Sequence, residues 1–191
     1  EVIGFTHGEI ANDVLDEPVY GYSDKTLCTT LVEYGSFKSE ELANPAIITP
    51  QKIVRRSSPI VRQHYRPNSH IQHRDLETTR VLLIPTMYQQ NYLYGPKHAY
   101  ESAQYYQWHR TIEKCVPNMT IKIHPKSRIS PKFECKIDYR QLENCINEYD
   151  VLILDYFATS TVLAIFSDKP VIYFDIGLRT LEPVFYRDLR T

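Results

Sequence analysis

The chain has 191 residues, of which 42% are hydrophobic, enough for one domain with a real core or for one domain and part of a second. Its formal net charge of −1 argues against a general attraction to nucleic acid or to membranes. The cysteines Cys28, Cys115, Cys135 and Cys145 form no C-x-x-C pair, which argues against zinc and favours reduced thiols in a cytosolic protein. No apolar run is long enough to span a bilayer.

Residues 1–42 are predicted to be the end of an N-terminal Rossmann-like domain. The apolar run from Glu1 to Phe5 predicts a short buried strand, and its start without a methionine suggests a piece of a longer protein. His7 and Gly8 follow; because glycine permits a sharp turn, His7 would lie at the carboxyl edge of a sheet, where open α/β sheets bind ligands. There His7 could act as a general base, or it could merely cap a turn. A second strand is predicted from Lys25 to Val32.

Residues 43–78 are predicted to be a basic connector. No acidic residue occurs between Ala43 and Arg74, and the prolines there exclude a long helix. The positive charges are those of Lys52, Arg55, Arg56, Arg62, Arg66 and Arg74. The segment 52–74 could contact an anionic substrate or acidic lipid headgroups, or it could be a solvated linker; it carries no recognisable module for reading nucleic acid.

Residues 79–191 alternate between strand and helix patterns. Strands are predicted at 79–86, 118–123, 151–154 and 171–174, and helices at 99–115, at 139–147 and from 159 onward. This alternation is typical of the α/β class, with a Rossmann-like, doubly wound parallel sheet. In the helix at 99–115, the side chains expected to face inward are Tyr105, Trp108, Ile112 and Cys115.

Polar residues follow the buried run that ends at Leu154. Asp155 closes the strand, and Thr159, Ser160 and Thr161 precede an apolar helical pattern. The free N–H groups and dipole of a helix N-terminus attract anions, so the hydroxyls there could complete a phosphate site. The alternative is that Thr159 or Ser160 only caps the helix.

Two other predicted strands also end in polar residues. His124, Pro125 and Lys126 follow the strand at 118–123, and the proline holds His124 in an extended conformation at the strand tip. His124 and Lys126 could therefore bind a phosphate oxygen. The loop after the strand at 79–86 is rich in polar side chains that would line the same edge, namely Tyr88, Gln89 and Asn91.

These motifs together resemble the GT-B-fold glycosyltransferases of bacterial surface polysaccharides. The resemblance rests on His7-Gly8, on His124-Pro125-Lys126 and on Thr159-Ser160-Thr161, each after a predicted strand. The most similar groups are the CDP-glycerol glycerophosphotransferase-like enzymes and the capsule and lipopolysaccharide transferases. Bacterial sialyltransferases and Kdo transferases share a similar His-Pro motif and a Ser/Thr pair.

The resemblance implies that residues 79–191 form the donor-binding half of a GT-B fold. His124, Lys126, Thr159, Ser160 and Thr161 would bind the phosphate of a CMP- or CDP-linked donor, His7 and His124 would act in catalysis, and Tyr88, Gln89, Asn91 and Asp155 would line the donor site. The acceptor would be a glycan or lipid-linked glycan of the capsule or lipopolysaccharide kind, at the inner face of the cytoplasmic membrane. No metal, cofactor or nucleic acid is expected.

Two departures from the family pattern leave alternatives open. The acidic motif that carries the base in sialyltransferases is not present, and it would lie before Glu1 in a longer chain. The helical run from Val162 to Ile165 lacks the glutamate that many UDP- and GDP-sugar transferases use to hold ribose, which favours a cytidine donor. The alternatives are a nucleotide-sugar epimerase of the same fold and a non-catalytic nucleotide-sugar-binding module.

Overall fold

The computed structural model describes residues 1–5, 27–34, 52–64, 75–88, 102–127 and 131–190. His7, Gln89 and Asn91 therefore lie outside the described residues. Within them the chain is an α/β protein with parallel sheets of three and five strands flanked by helices, which is a Rossmann-like, doubly wound arrangement. The chain divides into two compact units, one of Glu1–Gln63 with Arg179–Thr191 and one of His64–Leu178.

The strands of the described residues are, in chain order, β1 (Ile3–Phe5), β2 (Thr30–Tyr34), β3 (Lys52–Arg56), β4 (Val81–Ile84), β5 (Met119–Lys122), β6 (Lys136–Asp138), β7 (Val151–Leu154) and β8 (Val171–Tyr173). The α-helices are α1 (Pro59–His64), α2 (Ser102–Cys115), α3 (Leu142–Cys145), α4 (Thr159–Phe166) and α5 (Pro183–Leu189), and a 3₁₀ turn (Ile146–Glu148) continues α3.

The first unit contains the sheet β1-β2-β3, and it differs from the sequence-based expectation in two ways. The expected burial of the first strand is wrong, because Ile3 and Phe5 are 55% and 58% exposed in a strand that pairs, among the described strands, with β2 alone. The second strand also begins later than expected, at Thr30.

The segment 43–78, expected to be a connector, contains regular structure between residues 52 and 64. β3 pairs in parallel with β2, with Thr30 opposite Lys52, and α1 follows it. One of its positive charges serves the sheet, since Arg55 Nε lies 4.0 Å from a carboxylate oxygen of the buried Glu33. The sequence did not predict β3, because its basic residues are typical of a solvated linker. The tail from Arg179 also groups with the first unit rather than with the 79–191 domain that we expected.

The second unit contains the sheet with the order β6-β5-β4-β7-β8, all parallel. β4 comes first in the chain and lies in the middle; the chain then adds β5 and β6 on one side and β7 and β8 on the other. The order therefore reverses between β4 and β7. In open α/β sheets, such a switch point opens a crevice at the carboxyl ends of the strands, and ligands bind there.

Helices cover both faces of this second sheet. Leu83 and Ile121 pack on the side of α2, whereas Leu82 and Leu152 pack against residues of α3 and α4. All four side chains are fully buried. Burial on both faces explains the uninterrupted apolar runs of β4 and β7 in the sequence. Among the described residues, no helix has the length and apolar character needed to cross a membrane.

Candidate functional site

The candidate site lies at the carboxyl edge of the five-stranded sheet, around the switch point. Thr86 and Tyr88 follow β4, His124 follows β5, and Asp155 follows β7. Because all these strands are parallel, the residues that follow them emerge at the same edge. The strand order thus brings together several of the side chains that the sequence singled out.

Asp155 lies below this edge, 1% exposed. Its Oδ1 accepts a hydrogen bond from the Tyr105 hydroxyl at 2.8 Å. Its Oδ2 accepts from Trp108 Nε1 at 3.2 Å and is 2.6 Å from His109 Nε2. The three partners occupy positions i, i+3 and i+4 of α2, which share one helix face. Asp155 is therefore a buried acceptor for α2 and does not present its carboxylate at the surface.

Tyr88 is also buried, at 2% exposed, and its hydroxyl lies 2.6 Å from His109 Nδ1. Its backbone N–H donates to Ser127 Oγ at 3.1 Å, which ties the loop after β4 to the loop after β5. Burial, and then the negative charge of Asp155, raise the pKa of the Tyr88 hydroxyl far above its usual value. Tyr88 therefore remains protonated at neutral pH and can donate to the imidazole.

His109 is the residue of this site that the sequence analysis missed. It is fully buried between Tyr88 and Asp155. Its spacing from Tyr105 and Ile112, which we did expect to face inward, is the signal that could have found it, since i, i+4 and i+7 share a helix face. Cys115, expected on the same face, is exposed instead.

His124 is half-buried at the end of β5, and a short turn fixes its ring. Its Nδ1 accepts the backbone N–H of Lys126 at 3.1 Å. A neutral imidazole protonated on one nitrogen only must then carry its proton on Nε2. Burial, followed by the charges of Lys126 and Lys122, lowers the pKa of His124 below its usual value. The neutral ring is thus a hydrogen-bond donor through Nε2, beside the exposed ammonium of Lys126.

The lowered pKa of His124 predicts a pH-dependent contribution to stability. Below the ordinary value of 6.5, the unfolded chain takes up a proton at this residue before the folded chain does, so folding loses stability as the pH falls. When the pH is lowered from about 7.5 to about 5.5, we expect the melting temperature of His124→Gln to fall less than that of the wild type. Lys114→Gln, a change at the exposed last turn of α2, is the control, and coincident pH profiles of His124→Gln and wild type would contradict the prediction.

The first turn of α4 follows β7 by four residues, with Ala158 as its N-cap residue. Thr161 is fully buried; its Oγ1 donates to the carbonyl of Tyr156 at 3.0 Å and accepts the N–H of Ala158 at 3.2 Å. Thr161 thus fixes the turn before α4, but its oxygen accepts the N–H of Ala158 and not an N–H of the helix, so capping by Thr159 or Ser160 stays a prediction. Thr159 and Ser160 are half-buried, and their contact with phosphate stays a prediction.

The acidic, cysteine and histidine side chains of the described ranges show no group of three arranged to hold a metal ion. Cys28, Cys115, Cys135 and Cys145 form no disulfide. The polar groups at this edge are therefore a histidine donor, a lysine and a helix N-terminus, which are groups that bind anions.

Comparison with known proteins does not assign this chain to a family. A scan against protein-family models finds no match, and a search of curated proteins also finds none. The chemistry of the edge formed by β4, β5 and β7 is therefore the basis on which a function can be inferred.

Proposed function

We propose that this chain belongs to a GT-B-fold glycosyltransferase or glycerophosphotransferase and that its second unit binds the nucleotide-activated donor. The donor would be CMP- or CDP-linked, and the acceptor would be a cell-surface polysaccharide or its lipid-linked precursor. The observation that carries the proposal is the position of His124 and of the first turn of α4, which follow the strands on either side of β4 at the switch point.

The spacing of the strands is compatible with a nucleotide phosphate between these groups. β5 and β7 are separated by β4, so their ends lie about 10 Å apart, twice the distance between neighbouring strands. A phosphate above β4 would accept a hydrogen bond from His124 Nε2 on one side and from the N–H groups of α4 on the other. Lys126 would add positive charge.

The reaction would be an inverting transfer that depends on charge stabilisation. As the bond to the leaving phosphate breaks, negative charge grows on its oxygens, and preorganised donors such as His124 Nε2 lower the energy of that state. Because its pKa is lowered, neutral His124 would act by hydrogen bonding and Lys126 by charge. His7, which lies outside the described residues, would deprotonate the acceptor hydroxyl or bind the donor phosphate.

We also propose a peripheral contact with the inner face of the cytoplasmic membrane through the segment 52–74. Lys52, Arg56 and Arg62 are exposed, and anionic headgroups attract such clusters by about 1 kcal/mol for each basic residue near the surface. This contact would hold the enzyme near a lipid-linked acceptor.

A non-catalytic nucleotide-sugar-binding module is the second candidate. It is favoured by the burial of Asp155, since a carboxylate that already accepts three hydrogen bonds is not available as a base at the edge. This candidate would bind cytidine nucleotides without releasing them from a donor.

A thermal-shift panel of CMP, CDP, UDP, GDP and ADP tests the proposed donor class. A ligand that binds only the folded protein stabilises it by about 2.7 kcal/mol at a concentration 100 times its dissociation constant. We expect CMP and CDP to raise the melting temperature and the other nucleotides to leave it unchanged. A shift with UDP alone would overturn the cytidine assignment, and no shift with any nucleotide would overturn the proposed function.

A further inference from the structure

Asp155 connects one face of α2 to the loop that follows β4. Tyr105 donates to the carboxylate through its hydroxyl and, with the same oxygen, accepts the backbone N–H of Thr86 at 3.0 Å. His109 contacts the carboxylate through Nε2 and the Tyr88 hydroxyl through Nδ1. Each of these two α2 side chains thus links Asp155 to one residue of the loop.

With Asp155 as a carboxylate and His109 as a neutral imidazole, one arrangement of protons uses every bond in this network. The carboxylate accepts and does not donate, so His109 donates through Nε2 and accepts through Nδ1 from the Tyr88 hydroxyl. For the same reason, the Tyr105 hydroxyl donates its proton to Asp155. The Tyr105 oxygen then accepts the backbone N–H of Thr86. The direction of each bond is therefore set by the carboxylate.

The network also reaches the strand on the far side of β7. Trp108 donates to Asp155, and its ring packs edge-on against Phe174, directly after β8, with centroids 5.2 Å apart. The side chains of Tyr88, Tyr105, His109 and Asp155 are each at most 5% exposed. A ligand at the surface of the edge cannot contact the Asp155 carboxylate without displacing these groups.

We propose that Asp155 is a positioning residue that, through Tyr105 and His109, holds residues 86–88 in one conformation at the carboxyl edge of the sheet, beside the switch point. It acts on a ligand through this loop and not by contact, contrary to its expected place in the donor-site lining. That the ligand is a cytidine nucleotide rests on the proposed function; the control of the loop by the carboxylate does not.

Loss of the Tyr105 hydroxyl should loosen the loop at residues 86–88 without destabilising the sheet beneath it. In Tyr105→Phe the aromatic ring remains in the core, but Thr86 loses the acceptor of its N–H. The loss of one buried hydrogen bond of about 1.4 kcal/mol corresponds to a tenfold change in the opening equilibrium of that amide. The amide of Leu83, in the centre of β4, keeps its partner in the strand ladder and should not change.

Amide hydrogen exchange of the whole chain, followed by NMR, tests the proposal. We expect Tyr105→Phe to accelerate exchange at Thr86 about tenfold with Leu83 unchanged. Asp155→Asn should accelerate exchange at Thr86 as well, because the amide oxygen that serves Trp108 and His109 leaves an NH₂ group facing Tyr105, and NH₂ cannot accept the hydroxyl proton. Tyr139→Phe, at a side chain that is 64% exposed, is the matched control. Unchanged exchange at Thr86 in Tyr105→Phe, or equal acceleration at Thr86 and Leu83, would overturn the proposal.

Two further readouts separate positioning from a purely structural role. Nitrogen NMR of His109 should show the proton on Nε2, and a proton on Nδ1 alone would overturn the assigned bond directions. Tyr105→Phe should also weaken CMP binding about tenfold, while the stability of β4, measured by the exchange at Leu83, stays unchanged. If the wild type binds no CMP, the proposed function fails, whereas the exchange at Thr86 still decides whether Asp155 controls the loop.

Discussion

Replacing Asp155 with alanine is expected to destabilise the second unit by about 3–5 kcal/mol, because several hydrogen-bond donors in the interior lose their acceptor together. The change leaves the buried donors of Tyr105 and His109 and the part-buried donor of Trp108 without their common acceptor. Each unsatisfied buried donor costs about 1–3 kcal/mol, although the three costs do not add in full. Since folded proteins are stable by only about 5–15 kcal/mol, this single change removes a large share of the stability.

Urea unfolding of Asp155→Ala and Asp155→Asn measures this effect. Asparagine keeps one oxygen acceptor of similar shape, so Asp155→Asn should be destabilised less than Asp155→Ala. Asp175→Ala is the control, because Asp175 is an exposed carboxylate after β8 that accepts one backbone bond, from Gly177, and its loss should cost about 1 kcal/mol. An Asp155→Ala protein as stable as the Asp175 variant would contradict the network.

Replacing His124 with alanine is expected to weaken CMP binding about 10- to 100-fold. A hydrogen bond to a charged group contributes about 1.5–3 kcal/mol, and His124 Nε2 is the donor that we propose for the phosphate, since the turn with Lys126 uses Nδ1. His124 is only half-buried and its ring accepts one backbone bond, so the fold itself should tolerate the change.

The control for His124→Ala is Lys114→Ala. Lys114 is an exposed cation in the last turn of α2, a helix whose chain continues into the start of β5, at the edge of the sheet opposite to His124. Its loss changes the net charge without touching the proposed site. If the two variants lost affinity equally, a general electrostatic attraction would explain CMP binding better than a contact with His124.

The central strands of the second sheet were predictable because they are buried on both faces. Val151–Leu154 is a run of four apolar residues in the sequence and is β7 in the structure, and β4 was recognised in the same way. β3 was not recognised, because a strand with exposed basic residues lacks this signal. The α/β class and the parallel, doubly wound sheet are confirmed, while the strand order that defines the switch point needed the structure.

The polar residues of the site were predictable as positions but not as contacts. Because each of Tyr88, His124 and Asp155 follows an apolar strand, the sequence placed them at one edge. The burial of Tyr88 and Asp155 depends on how α2 packs on the sheet, which brings His109 to a carboxylate 46 residues away in the chain. No local sequence pattern predicts a contact between residues so far apart in the chain. For this reason Tyr88 and Asp155 were expected to line the ligand site.

The most direct test of whether a cytidine nucleotide binds at the switch point is an NMR titration of isotope-labelled protein with CMP, on wild type and on His124→Ala. It gives the affinity and the location of binding together. If a cytidine nucleotide binds at the switch point, the largest shift changes will occur at Lys126, Thr159 and Ser160, and they will weaken in the variant. Saturable changes confined to the opposite edge of the sheet, near Lys114, or no saturable change at all, would contradict the claim.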